Sequence, residues 1–209
     1  MQREWNNFWS ANKDRKSSWS KKIAMEILEK YVAAGMEVLD AGCGSGFFST
    51  YFIDGGCVVY SLDYSEETLT LTKRMTDNES FKYFKRDVLN DDLSSEFENK
   101  FDLIFTDGLF EHFTKQEQGQ IMETFIKIKK NKGIVVTIVP NKYTFWTFVR
   151  PFFVHGIKER PFSLSELEPF VKRSGQDVIE SGGLNVLRLR YSPEFLGGKI
   201  GMLVYVISK

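Results

Sequence analysis

Residues 37–46 read Glu37-Val38-Leu39-Asp40-Ala41-Gly42-Cys43-Gly44-Ser45-Gly46, and Phe47 opens a helical stretch directly behind them. A short apolar run that stops in three alternating glycines and passes straight into a helix predicts a strand, a tight turn and a helix start. Such a turn leaves backbone uncovered at a helix N-terminus, where a cofactor can approach closely. A dinucleotide fingerprint requires glycine at the first, third and sixth positions, the last so that the helix packs on the strand beneath a pyrophosphate. Here the glycines stand at the first, third and fifth positions, and Phe47 holds the sixth. A P-loop fails as well, because no Lys-Ser or Lys-Thr follows the last glycine.

Outward from that turn the chain alternates. Upstream, Ile23, Ile27 and Tyr31 recur at helical spacing with Ala24, Leu28 and Val32 beside them, and Gly35 stands where a C-cap would. Downstream, strands are predicted at 57–63, 81–86, 101–106 and 133–139, with helices at 47–53, 66–75 and 116–129 between them. Regular alternation of this kind predicts an α/β chain with a parallel sheet. After Pro140 the pattern breaks. Residues 141–162 are aromatic and basic without a clean period, a capped helix begins at Ser163 and ends at Gly175, and 141–174 therefore reads as an inserted cap or acceptor segment. Residues 178–189 and 199–208 read as a terminal antiparallel strand pair.

The 209 residues suit one domain, with 1–34 as an N-terminal aromatic lid and helix. Trp5, Phe8 and Trp9 make that start a poor solvated tail, so it is expected to fold over the cofactor site. Lys+Arg and Asp+Glu are both 28, so no net field concentrates nucleic acid or anionic lipid. Two cysteines make neither a disulfide framework nor a metal cluster, and the start lacks the apolar core of a signal peptide. The expected compartment is the cytoplasm. No apolar run is long enough for a transmembrane helix, and no transmembrane segment is expected.

The stretch from Val38 to Gly46 resembles the first motif of the class I S-adenosylmethionine-dependent methyltransferases, and later segments keep that family's order. Asp63 follows Gly42 by 21 residues, at a strand end where an acid accepts hydrogen bonds from ribose hydroxyls in NAD folds and methyltransferases alike. Asp87 stands where the family reads the adenine amine, with Val88 packing the ring. The segment from Phe101 to His112 resembles the fourth motif, whose loop borders the methionine part and the methyl group. The resemblance implies a Rossmann-like, doubly wound, mostly parallel seven-stranded sheet with an antiparallel C-terminal strand pair. It also implies S-adenosyl-L-methionine as cofactor, bound by Asp40, Gly42, Gly44, Gly46, Asp63, Tyr64, Asp87, Val88, Thr106 and Asp107. Among these, Asp40 is expected to hold the turn and nearby water rather than the reactive end.

Transfer from a sulfonium needs an aligned acceptor, a dry site and, for an oxygen or nitrogen acceptor, removal of a proton. His112 is the leading candidate base and Glu111 its neighbour, with structural use of each as the competing reading. The Glu111-His112 pair resembles that of small-molecule methyltransferases of the type 11 group, which includes the ubiquinone-biosynthesis O-methyltransferases. Some of these hold a divalent metal through a nearby carboxylate, Glu and His. Gly108 stands where the extra carboxylate would, so no metal is expected. An Asn or Asp followed by two prolines and an aromatic, as in enzymes acting on base amines, is replaced by Thr106-Asp107-Gly108-Leu109. The expected partner is a small-molecule acceptor, aromatic or apolar in character, and no nucleic acid is expected; the stretch 142–153 reads as an apolar acceptor pocket, a partner-binding surface, an interfacial membrane contact or a core-covering helix. An NAD-type oxidoreductase with atypical glycine spacing and a catalytically silent S-adenosylmethionine-binding regulator are the competing functions.

Overall fold

The computed structural model describes residues 19–75, 81–144, 159–184 and 201–209. The lid expected at Trp5, Phe8 and Trp9, the aromatic stretch beyond Thr144, and His155 lie outside the described residues.

The chain runs α1 (Trp19–Leu28), β1 (Glu37–Ala41), α2 (Phe47–Asp54), β2 (Val58–Asp63), α3 (Glu66–Met75), β3 (Phe81–Lys85) and α4 (Leu93–Phe97). It continues with β4 (Phe101–Asp107), a 3₁₀ turn (Phe110–His112), α5 (Lys115–Ile128), β5 (Lys129–Pro140), α6 (Leu164–Arg173), β6 (Val178–Leu184) and β7 (Leu203–Ser208). Seven strands form one sheet in the order β3-β2-β1-β4-β5-β7-β6. β1 to β5 are parallel neighbours, and β7 lies antiparallel between β5 and β6.

Period-2 alternation along each strand divides the core between the two sheet faces. Leu39, Ala41, Ile104, Val135 and Val204 face one way and meet α4, α5 and α6 through Phe97, Ile121, Phe125, Leu167 and Val171. Val38, Val59, Leu103, Phe105 and Val136 face the other and meet α1 and α2 through Leu28, Phe48 and Phe52. Helices on both faces of a mostly parallel sheet make the doubly wound architecture that the alternation predicts.

Two features differ from the sequence reading. Strand β5 begins at Lys129, four residues before the apolar run at Gly133. Its polar start is held by ion pairs, Lys130 Nζ lying 2.9 Å from Asp102 and 3.4 Å from Glu37, at the sheet edge opposite the glycine turn. And α6, read as part of an inserted cap, buries Leu167 and Val171 in the core, so that this part of 141–174 is a layer of the fold.

Gly133 sits opposite the register shift between Phe101 and Leu103. A Cβ there would lie 2.7 Å from the Phe101 carbonyl oxygen and 3.1 Å from that of Asp102, backbone atoms that cannot step aside. Gly119, inside α5, has no atom within 4 Å of its would-be Cβ. Gly133→Ala is therefore expected to destabilise the chain by about 1–3 kcal/mol, whereas Gly119→Ala stabilises it by roughly 0.5–1 kcal/mol. Urea midpoints of the two variants should move in opposite directions. Equal shifts would contradict the packing at the β4–β5 bulge.

Candidate active site

The chain leaves β1 in one direction across the sheet and returns to β4 on the other side, so a crevice opens beyond the C-terminal ends of β1, β2 and β4. Asp40, Asp63 and Asp107 all stand at that edge. The glycine turn spans it. Gly42, Gly44 and Gly46 have φ of 74°, 53° and 76°, the left-handed region that side chains rarely adopt. Gly42 and Cys43 both donate their N–H groups to the Leu62 carbonyl, at 2.8 and 3.1 Å. Gly44 donates to Asp63 Oδ2 at 3.1 Å, and Ser65 donates to Asp63 Oδ1 at 2.9 Å. The Tyr64 N–H and the Thr68 hydroxyl act on the same carboxylate as further donors.

Thr72 of α3 locks the turn from below. Its hydroxyl lies 3.1 Å from the Gly44 carbonyl oxygen and 2.9 Å from that of Thr68, two acceptors that share its one proton, and 3.8 Å from Cys43 Sγ. A Cβ at Gly46 would fall 2.6 Å from Thr72 Cγ2, so the third glycine is required by packing against α3 as well as by its backbone angle. Cys43 is buried, and burial beside Asp63 and Asp40 pushes its thiol well above the usual range.

Asp40 is 3% exposed. It accepts a hydrogen bond from Ser49 Oγ at 2.6 Å, and Ser49 in turn lies 2.6 Å from Ser61 Oγ. A hydroxyl has one proton, so Ser61 is the donor in that second bond. Burial pushes the Asp40 carboxyl up to about 7; the Ser49 bond opposes the rise, and the charges of Asp107 and Asp63 add to it. Asp63 is also raised by burial, against the pull of its backbone donors. The site is thus a buried acidic edge beside the glycine turn.

Other expected contacts stand differently. The Asp87 carboxylate accepts from Leu89 N at 2.9 Å and Asn90 Nδ2 at 2.7 Å, closing its own loop, while Asp91 accepts from Asp87 N. Val88 is packed in the core, which leaves its backbone rather than its side chain for a ligand. Tyr64 is half-buried beside Asp63. Thr106 is fully buried at the end of β4, and its hydroxyl has no hydrogen-bond partner among the described residues. Glu111 and His112 share the 3₁₀ turn, which Gln118 Nε2 holds by donating to the carbonyls of Phe110 and Phe113 at 2.9 and 3.0 Å. Sequence reading did not single out Ser49, Ser61, Thr72, Leu109 or Glu159. Leu109 Cδ1 lies 3.2 Å from where a Gly42 Cβ would stand, and Glu159 reaches the imidazole of His112.

The model of a family described as a methyltransferase domain matches residues 33–168. A probable S-adenosylmethionine-dependent methyltransferase of Mycolicibacterium smegmatis is 24% identical over 157 residues, covering 72% of this chain and 56% of that protein. This chain thus spans little more than half the length of that relative. Among solved structures, the complex between the Haloferax volcanii Trm112 methyltransferase activator and a protein described as a methyltransferase contains a chain that superposes with a TM-score of 0.75 at 17% identity. The superposition covers 98% of this chain and 96% of that one. The Burkholderia thailandensis 1,6-didemethyltoxoflavin-N1-methyltransferase, with 1,6-didemethyltoxoflavin and S-adenosylhomocysteine bound, gives 0.69 at 19% identity, over 98% and 85% of the two chains. These likenesses establish a shared fold.

The raised carboxyl of Asp40 makes stability pH-dependent. A group that titrates near 7 when folded and near 4 when unfolded holds its proton longer in the native state. Its contribution is present below the unfolded value and is lost as pH rises through about 7. Asp40→Asn does not titrate, so its melting temperature relative to wild type should climb between pH 5 and pH 8 and level off above. A difference that stays flat across that window would contradict the buried acidic site.

Proposed function

The chain belongs to the methyltransferase domain family, and from that premise we propose that it transfers a methyl group from S-adenosyl-L-methionine to a small-molecule acceptor. The observation that carries this reading is the bond between Gly44 N–H and the Asp63 carboxylate at the mouth of the crevice. It joins the glycine turn to a buried acid at the end of β2, the position from which an acid accepts ribose hydroxyls. The donor supplies a methyl group carried on a sulfonium.

Within this reading Asp63 accepts the ribose hydroxyls, with Tyr64 beside it. The turn at Gly42 and Gly44 lets backbone approach the ligand, and Gly46 keeps the turn closed on α3. Asp40, through Ser49 and Ser61, fixes the end of β1 beneath the turn. Asp87 and the Val88 backbone lie toward the adenine, the former in competition with its own loop. Thr106 and Asp107 border the methionine part, and the buried Thr106 hydroxyl is a donor that a ligand atom there would satisfy. Glu111 and His112 form the turn next to them and handle the acceptor's proton.

A small molecule suits the chain better than nucleic acid, since Lys+Arg and Asp+Glu balance at 28 each and three acidic groups stand at the crevice. A structural neighbour that binds 1,6-didemethyltoxoflavin together with S-adenosylhomocysteine supports the same class of acceptor. A reducing compartment such as the cytoplasm suits Cys43 and Cys57, both buried as free thiols. No helix of the described residues is long and apolar enough to cross a membrane.

Calorimetric titration tests the reading. S-adenosylhomocysteine is expected to bind and NADH is not. Asp63→Asn keeps the shape and one acceptor but loses the charge that makes each such bond worth about 1.5–3 kcal/mol. Its affinity should fall at least tenfold while circular dichroism still reports a folded chain. Unchanged affinity in that variant, or tight binding of NADH, would overturn the assignment.

A further inference from the structure

We propose that Leu109 is a positioning residue, through which a donor bound on the glycine turn sets the 3₁₀ turn that carries Glu111 and His112. The contact is with Gly42. A Cβ added there would stand 3.2 Å from Leu109 Cδ1, 3.8 Å from its Cβ and 3.9 Å from its Cγ. Carbon atoms attract best at about 3.5–4.0 Å, so a side chain at position 42 would press into Leu109. Glycine is needed at 42 for two reasons, its φ of 74° and the close seating of this leucine.

The rest of the turn after β4 is anchored elsewhere. Gly108 N donates to the Ile138 carbonyl of β5 at 3.0 Å, and Arg160 N donates to the Glu111 carbonyl at 2.7 Å. Gln118 of α5 holds the carbonyls of Phe110 and Phe113. None of these partners belongs to the glycine turn. Leu109 does reach it, and its half-buried side chain also packs against the core layer on the α5 face of the sheet. Gly42 in turn donates its N–H to the Leu62 carbonyl at 2.8 Å, so the ends of β1, β2 and β4 meet at this glycine.

A donor on the turn fixes the peptides from Gly42 to Gly44 and, with them, the surface on which Leu109 rests. Two bonds close the 3₁₀ turn, from His112 N to the Leu109 carbonyl and from Phe113 N to the Phe110 carbonyl, both at 3.2 Å. Seating Leu109 therefore narrows the conformations open to Glu111 and His112, which aligns them before an acceptor arrives. Coupling of this kind is reciprocal, so an acceptor that orders the 3₁₀ turn also tightens the donor. That coupling rests on the donor reading; the contact between Leu109 and Gly42 does not.

Amide hydrogen exchange on the full chain, with S-adenosylhomocysteine as the probe, reads the coupling at His112 and Phe113. In wild type the ligand is expected to slow both amides by about threefold or more, along with residues 42–47. In Leu109→Ala at saturating ligand, residues 42–47 stay protected while the effect at His112 and Phe113 disappears. Leu109→Met, apolar and of similar volume, restores it. A merely structural role for Leu109 would change the exchange of these two amides equally with and without ligand. Unaffected His112 and Phe113 in ligand-bound wild type, or an undiminished effect in Leu109→Ala, would overturn the proposal while leaving the donor reading in place. Absence of protection at 42–47 would overturn the donor reading and the coupling together. A ligand-free double-mutant cycle tests the contact itself: the melting-temperature loss caused by Gly42→Ala should shrink by about half in a Leu109→Ala background, where the backbone strain remains and the collision is gone. Equal losses in the two backgrounds would show that Leu109 does not seat on Gly42, and would overturn the proposal whether or not the ligand binds.

Discussion

Gly44 donates its backbone N–H to the carboxylate of Asp63, which ties the glycine turn after β1 to the end of β2. The Leu62 carbonyl receives two further N–H groups from the same turn, and Thr72 ties Gly44 to α3. A backbone path with three left-handed residues is costly for any residue with a Cβ, so the turn exists only with glycine there and with partners that fix each peptide. The crevice, the direction of α2 and the seating of α3 all follow from it.

Concentrating acid at this edge has a cost. Asp40, Asp63 and Asp107 repel one another in a place where burial already penalises charge, and the Asp40 carboxyl is raised to about 7 as a result. Hydroxyl groups from α2 and β2 offset part of that penalty, Ser49 directly and Ser61 through it. The opposite edge of the sheet carries charge of both signs, with Lys100 and Lys130 against Glu37 and Asp102, and is correspondingly relaxed. The two edges thus differ in charge, one acidic at the glycine turn and the other of mixed sign.

The parts legible in the sequence are those set by local rules. The glycine turn, Asp63 at the end of β2, and the strands buried on both faces announce themselves through spacing and continuous apolar runs, because each is decided by a few neighbouring residues. Features decided by distant partners were not legible. The polar start of β5 is a strand because Lys130 finds Asp102 and Glu37 across the sheet, which no window around Lys129 contains. Helix α6 looked inserted because the aromatic stretch before it has no period, yet Leu167 and Val171 carry a buried face. Asp87 could be placed after β3, but not its engagement with Asn90 and Leu89. Glu159 stands beside an imidazole 47 positions away in the chain, and only the folded chain brings the two together.

The central claim is that the donor's nucleoside lies on the glycine turn against Asp63. Amide hydrogen exchange with and without S-adenosylhomocysteine reads this directly, since the claim concerns particular backbone groups. The account predicts that the ligand slows exchange at residues 42–47 and at Tyr64 and Ser65, and leaves the β4–β5 bulge around Phe101 and Gly133 unchanged. Binding with no protection at the turn, or with protection centred elsewhere on the sheet, would contradict it.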